Sequence, residues 1–138
     1  MHPAYNKWSN FVHNSSRNAT KSLVKTSRTT RRRFLDKVTD FQKHSSSGKF
    51  TFLDAIDKFG ENPSCYLSGA PIDLGHPETY HFDHITPRSR GGDNSLGNLG
   101  LASKQANMSK SDLSLEEYLL LCQRVLETHG YSVVKNDH

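Results

Sequence analysis

The sequence predicts an α+β fold in which helices flank a short pair of strands. Apolar residues recur at helical spacing after Thr30 and again after Ser114. Between these regions, two short extended segments are separated by a loop rich in Gly, Pro and Asn. With 138 residues, of which 33% are hydrophobic, the chain has room for one domain and an extension, not for a second independent core.

The first predicted helix begins near Thr30 and buries one apolar face. That face contains Phe34, Leu35, Val38 and Phe41, which share a helical side. Arg31, Arg32 and Arg33 are predicted to occupy the first turn, where cations oppose the helix dipole. The cost of this placement suggests that the three arginines have another role.

Two further helices are predicted from their capping residues. A helix over 52–59 has Thr51 and Asp54 in capping-box positions and ends at Gly60. The last helix starts after Ser114, with Glu117 three residues on, and ends at Gly130. Its apolar stripe predicts a helix that belongs to the core; the stripe consists of Leu115, Leu119, Cys122 and Leu126.

Residues 80–85 read as a strand and residues 96–101 as a second extended segment. Residues 102–108 follow as a short helix. We therefore divide the chain into a basic arm with helices, residues 1–60, and a second segment, residues 61–138, that holds the strands.

The charge is distributed unevenly along the chain. Residues 1–60 contain 12 Lys and Arg against 4 Asp and Glu, whereas residues 61–138 contain 6 against 10. A basic arm of this kind is either a solvated tail or a surface that binds a polyanion. The second interpretation is favoured if the rest of the chain acts on nucleic acid.

Several classes of protein are excluded or disfavoured. No apolar run approaches the ~20 residues needed to cross a bilayer, and no secretory signal is visible, so we expect a cytosolic protein with no membrane partner. Cys65 and Cys122 lie too far apart to suggest a disulfide framework or a four-cysteine zinc site. Both are expected to be small buried hydrophobic residues.

An acid and an imidazole stand side by side in Asp83 and His84. Taken singly, Asp83 could cap a turn, His84 could be a core histidine, and Asn94 and Asn98 are common turn residues. Together they suggest a cation held by carboxylate and amide oxygens beside an imidazole that can accept a proton. In a regular strand Asp83 and His84 point to opposite faces, so the strand must end or twist there.

The combined motif resembles the HNH endonuclease family over roughly residues 63–125. The resemblance is carried by the segments CYLSG (65–69), HFDHI (81–85), PRSRGG (87–92), NL (98–99) and ANMSK (106–110). It implies the ββα-metal fold, here a nuclease core at 61–138 flanked by helices and preceded by the basic extension. Members of this family occur in phages and in bacterial restriction systems, which implies the cytoplasm of a bacterium or of a phage-infected cell.

The resemblance also implies a role for each matching residue. Asp83 matches a metal ligand and His84 the general base. Asn98 matches the middle residue that braces the loop and orients the base. Asn107 stands where many members have a final histidine and would be the second metal ligand, while Lys110 would reach a phosphate.

One divalent cation is the implied cofactor. Oxygen ligands favour Mg²⁺, with Mn²⁺ as the alternative, over Zn²⁺ or Ni²⁺. Ser68 stands where zinc-containing members have the second cysteine of a pair, so no structural zinc is expected.

The expected function is metal-dependent hydrolysis of DNA, by nicking or by cutting both strands of a duplex. Residues expected to contact the DNA backbone are Arg31, Arg32, Arg33, Arg88, Arg90 and Lys104. The alternative is a non-cleaving DNA-binding or packaging accessory module with the same fold, and a ribonuclease would share the chemistry. The oligomeric state stays open, since no dimerisation stripe is apparent.

Overall fold

A computed structural model describes residues 27–45 and 49–137. Its helices are α1 (Arg28–Phe41), α2 (Phe52–Phe59), α3 (Lys104–Lys110) and α4 (Leu115–Thr128), and its strands are β1 (Tyr80–His84) and β2 (Leu99–Ser103). Single 3₁₀ turns occupy Pro77–Thr79, Arg88–Arg90 and Leu96–Asn98. The first 26 residues of the predicted basic arm lie outside the described residues.

The two strands form an antiparallel sheet that confirms the predicted α+β class. Tyr80 lies opposite Ser103 at one end of the sheet, and His84 lies opposite Leu99 at the other. Asp83 is paired with Gly100. Because α3 follows β2 directly, the order of elements is strand, loop, strand and helix, as in a ββα core.

The sheet is covered differently on its two faces because side chains alternate along β1. On the first face Phe82 meets the ring of Phe34 of α1, with the ring centroids 5.5 Å apart and the rings nearly perpendicular. On the second face Asp83 meets Lys110 at the end of α3. The sheet therefore lies between α1 and α3.

One hydrophobic core joins both predicted segments of the chain. Helices α1 and α2 pack on the strands, and residues on both sides of position 60 share the core. Its residues, drawn from 34–56 and from 65–106, are Phe34, Leu35, Val38, Phe41, Phe50, Phe52, Ala55, Ile56, Cys65, Ile72, Leu74, Tyr80, Leu99, Leu101, Ala102 and Ala106. The predicted burial of Cys65 is confirmed, whereas Cys122 on α4 is only half-buried and the same expectation is wrong for it.

Capping explains where the predicted helices begin. The capping boxes of α2, at Thr51 and Asp54, and of α4, at Ser114 and Glu117, are both confirmed. Helix α1 begins earlier than predicted, at Arg28, because the Ser27 side chain accepts a hydrogen bond from the Thr30 amide. The prediction that Arg31–Arg33 occupy the first turn is therefore wrong, since nearly one full turn precedes them.

The second strand and the helix after it begin later than predicted. Residues 96–98 form a 3₁₀ turn instead of extended chain, and β2 starts at Leu99. Ala102 still pairs with His81 in the sheet, so the next helix starts only at Lys104, capped by Ser103. The predicted ranges, 96–101 and 102–108, therefore start too early.

Helix α4 is not the core helix that its stripe predicted. None of its residues is buried, and the exposed apolar side chains are Leu119, Leu120, Leu121, Val125 and Leu126. We also expected no dimerisation stripe, but within the described residues these five side chains leave an apolar stripe of α4 exposed. No helix in the described ranges has the length and apolar character needed to span a membrane.

Replacing Phe34 by Ala should destabilise the protein by about 3–5 kcal/mol, because its ring is fully buried and contacts both Phe59 and Phe82. Leu119→Ala removes an apolar side chain that is 58% exposed and should change stability by no more than about 0.5 kcal/mol. Urea denaturation of the two variants measures both effects. Equal losses of stability would show that α4 is packed in solution.

Candidate active site

A cleft of about 690 Å³ opens where β1 ends. It is bounded by the end of the strand, the loop that follows it and the last turn of α3. The lining residues are Asp83, His84, Pro87, Arg88, Ser89, Asn107, Met108, Ser111 and Asp112. Asp83 and His84 thus reach one cleft although they are neighbours in a strand, because β1 ends at His84.

The carboxylate of Asp83 is held through one of its two oxygens. Oδ2 accepts a hydrogen bond from the Tyr66 hydroxyl and lies 3.2 Å from the Lys110 ammonium. Burial, and then the hydrogen bond and charge of Asp83, raise the pKa of Tyr66 far above its usual range, so the phenol stays a donor. Since both contacts fall on Oδ2, Oδ1 is the oxygen available to a cation in the cleft.

Lys110 occupies a different position from the one the sequence suggested. Its side chain is fully buried, and among the described residues its Nζ has no hydrogen-bond partner, so the ion pair with Asp83 is its compensation. The expectation that Lys110 reaches a phosphate is therefore wrong. Lys110 instead forms an ion pair with Asp83 and does not line the cleft.

His84 is fixed by a hydrogen-bonded chain that ends just after α1. Its Nε2 lies 2.8 Å from Oδ1 of Asn94, and Nδ2 of Asn94 donates to the carbonyl of Lys43 at 3.1 Å. A carbonyl can only accept, so the Asn94 amide must turn its oxygen to His84. We infer from these hydrogen bonds that neutral His84 carries its proton on Nε2 and its lone pair on Nδ1.

Stacking on Phe41 also fixes the plane of the His84 imidazole. The rings of Phe41 and His84 are 4.0 Å apart between centroids and within 12° of parallel. Phe41 is the last residue of α1, and Lys43 follows it by two positions. The end of α1 and the residues just after it therefore hold both the face and one edge of the histidine.

Asn98 contacts the loop and not the histidine. Its Oδ1 accepts from the Thr86 amide at 2.9 Å, and its Nδ2 donates to the carbonyls of Thr86, at 3.0 Å, and Asp93, at 2.8 Å. Gly92 lies against the same turn, where a Cβ would overlap the Thr86 carbonyl. The resemblance assigned bracing and orienting together to Asn98, but the asparagine whose side chain contacts His84 is Asn94.

Asn107 lies on α3 and lines the cleft together with Asp83. A carboxylate oxygen and an amide oxygen form a donor set that suits a hard divalent cation, which keeps several of its waters. No group of three or more His, Cys, Asp or Glu side chains that could hold a metal occurs in the described parts of the chain. The residues present therefore fit Mg²⁺ or Mn²⁺, with the Lys110 ammonium as a charge that opposes the cation.

Residues 65–114 match the family model described as HNH endonuclease. This segment of the chain is similar to an HNH endonuclease domain. The matched segment begins at the core residue Cys65 and ends at the cap of α4, so it spans Tyr66, both strands and α3. No curated protein and no solved structure matches the chain significantly. HNH nucleases generally use a divalent metal and act on DNA.

The basic residues expected to bind DNA are distributed unevenly around the cleft. Arg88 lines the cleft and donates to the Lys43 carbonyl at 3.4 Å, while Lys104 is exposed at the start of α3. Arg90 is ion-paired with Glu117 of α4 at 2.7 Å.

The arginines of α1 lie near the opposite end of the strand from His84. Arg33 is 3.9 Å from Glu78, which precedes β1, and Arg32 is 3.3 Å from Asp36 on its own helix. Arg31 is half-buried. Of the six basic residues predicted to contact DNA, Arg88 alone lines the cleft.

Three side chains of this site were not assigned a role from the sequence. Asn94 was considered only as a turn residue, Tyr66 only as part of the matching motif, and Phe41 only as a core residue. The spacing of Asn94, ten residues after His84 in a loop that folds back, was the available signal. The contacts of Tyr66 and Phe41 depend on tertiary packing and have no local signature in the sequence.

Replacing Asn98 by Ala should loosen the loop without unpairing the strands. The Thr86 amide, which donates to the Asn98 side chain, should exchange with solvent on the order of tenfold faster. The Ile85 amide donates to the Asn98 backbone carbonyl and should keep its protection. Hydrogen exchange followed by NMR separates the two amides, and faster exchange at both would mean that the end of the sheet depends on the side chain.

Proposed function

We propose that the protein is a metal-dependent endonuclease that hydrolyses phosphodiester bonds in DNA. In this proposal His84 is the general base, and Asp83 and Asn107 hold one divalent cation, Mg²⁺ or Mn²⁺. The observation that carries the proposal is the fixed state of His84: Asn94 holds Nε2 as a donor, which leaves Nδ1 to accept a proton in the cleft that Asp83 and Asn107 line.

His84 takes a proton from a water molecule as the water oxygen bonds to phosphorus. The bond from phosphorus to the 3′ oxygen breaks, the oxygen leaves with the electron pair, and it then takes a proton from solvent. The products are a 5′-phosphate and a 3′-hydroxyl. A divalent cation on Asp83 and Asn107 would supply Lewis-acid stabilisation of the charge that develops on the phosphate oxygens.

The surroundings of His84 accommodate the imidazolium that proton transfer produces. Asn94 accepts from Nε2 in both protonation states, so the ring need not turn during the step. The face of Phe41, 4.0 Å away, also stabilises an imidazolium through its π electrons. His84 can therefore accept a proton without reorganisation of its neighbours.

DNA would lie along the cleft with Arg88 near the scissile phosphate. Lys104, next to Ser103, and the arginines of α1 lie toward the end of the sheet away from His84, so they would contact DNA beyond the scissile phosphate, although Arg32 and Arg33 are already paired with acids. Contacts of this kind position the backbone and carry no sequence information.

His84→Ala should reduce nicking of a supercoiled plasmid in Mg²⁺ by about 10²–10⁴-fold, because general-base catalysis contributes on that order. Asp83→Ala and Asn107→Ala should also lose most activity, and EDTA should abolish cleavage by the unsubstituted protein. His76→Gln is the matched control, since His76 is exposed and lies before β1, away from the cleft-lining residues.

Cleavage by His84→Ala at the rate of the unsubstituted protein would refute the assignment. DNA binding without metal-dependent cleavage by any form of the protein would favour the non-cleaving accessory module instead.

The arginines of α1 are tested by substitution, not by deletion. Removing residues 1–33 would cut α1 just before Phe34, a fully buried core residue. Replacing Arg31, Arg32 and Arg33 by Gln should weaken DNA binding and reduce the slope of log K against log salt by up to about 0.9 for each phosphate that is no longer neutralised.

A second triple variant has the same change in net charge, with Gln at the exposed positions Lys49, Arg124 and Lys135. It should have a smaller effect on the slope, measured by fluorescence anisotropy. Equal effects of the two variants would mean that net charge, not direct binding by α1, determines the affinity.

A further inference from the structure

The backbone of Tyr66 is hydrogen-bonded directly to strand β2. Its backbone amide donates to the Leu101 carbonyl of β2 at 2.8 Å, and the preceding residue, Cys65, is buried in the core. This hydrogen bond and the burial of Cys65 therefore fix the backbone at Tyr66. From this anchor the ring extends over β2 toward β1, where its hydroxyl meets Oδ2 of Asp83.

The ring crosses the sheet above Gly100, the residue paired with Asp83. A Cβ placed on Gly100 would lie 2.6 Å from Cε1 and 2.7 Å from Cδ1 of Tyr66. Both distances are well below a van der Waals contact, so any other residue at this position would displace the ring. Glycine within a strand often marks such a close approach.

We infer that Tyr66 is a positioning residue for the Asp83 carboxylate and that Gly100 is required because it makes room for the Tyr66 ring. This inference rests on the proposed function of Asp83 as a metal ligand. Tyr66 holds Oδ2 through a neutral donor, which stops rotation of the carboxylate and presents Oδ1 to the cation. Lys110 contacts the same oxygen but adds a positive charge that repels the cation, so the favourable orientation comes from the phenol.

The proposed roles of Tyr66 and Gly100 concern the geometry of Asp83 and not direct binding of the cation. Tyr66 and Gly100 would not bind the cation or the DNA, yet both would determine cation affinity. Hydrogen-bond partners of metal ligands typically change metal affinity by about 10- to 100-fold when removed. Loss of the hydroxyl, or displacement of the ring that carries it, should therefore give the same defect.

The experiment measures Mn²⁺ binding to the full chain by electron paramagnetic resonance, without DNA and without turnover. Tyr66→Phe keeps the ring and removes the hydroxyl, so it should bind Mn²⁺ at least about tenfold more weakly while remaining folded. Gly100→Ala should show a loss of similar size. Gly97→Ala is the matched control and should bind normally, because a Cβ there meets nothing closer than the Ser95 hydroxyl at 3.7 Å.

Asp83→Ala separates failure of the inference from failure of the proposed function. If Asp83→Ala abolishes Mn²⁺ binding but Tyr66→Phe binds like the unsubstituted protein, the positioning role is wrong and the metal site stands. If Asp83→Ala binds Mn²⁺ normally, or the unsubstituted protein binds none, the proposed metal site itself is wrong and the inference falls with it.

Unfolding temperatures and DNA affinities measured in EDTA complete the test. An unchanged DNA affinity and a folded apoprotein for Tyr66→Phe, together with weaker Mn²⁺ binding, support positioning. If Gly100→Ala unfolds, Tyr66→Phe still decides the role of the hydroxyl. A loss of Mn²⁺ affinity in Gly97→Ala equal to that in Gly100→Ala would overturn the claim that room for the ring is what matters.

Discussion

The alternation of side chains along β1, and the end of that strand at His84, are the constraints on which the site depends. Alternation sends Asp83 to the face covered by Tyr66 and Lys110, and His84 to the face covered by α1. Two neighbours in the chain thereby acquire separate environments. Because the strand ends at once, both still line the same cleft.

These separate environments suit two different chemical roles. Asp83 has a hydroxyl and an ammonium against one oxygen, which leaves the other oxygen for a cation, whereas His84 keeps one nitrogen able to accept a proton. A fully buried ammonium is costly unless an opposite charge compensates for it, and Asp83 is that charge for Lys110. A divalent cation would compete with Lys110 for the same carboxylate. In the proposed site, this competition would weaken cation binding.

Features that depend on residues close together in the chain could be predicted from the sequence alone. Capping boxes at Thr51 and Ser114 identified where α2 and α4 begin, because the bonds they form span three residues. The motif around Asp83 and His84 identified the similarity to HNH endonucleases, and periodicity identified the buried face of α1, including Phe34. Each of these signals is local, so a single sequence contains it.

Contacts between distant side chains became apparent only in the folded chain. The contacts of Asn94 with His84 and Lys43 require the loop to fold back, the contact of Tyr66 with Asp83 requires space above Gly100, and the burial of Lys110 requires α3 to fold onto the sheet. The apolar stripe of α4 shows the converse, since its pattern predicted burial and the described fold leaves it exposed. Periodicity defines which face of a helix is apolar, but what covers that face depends on packing between distant parts of the chain.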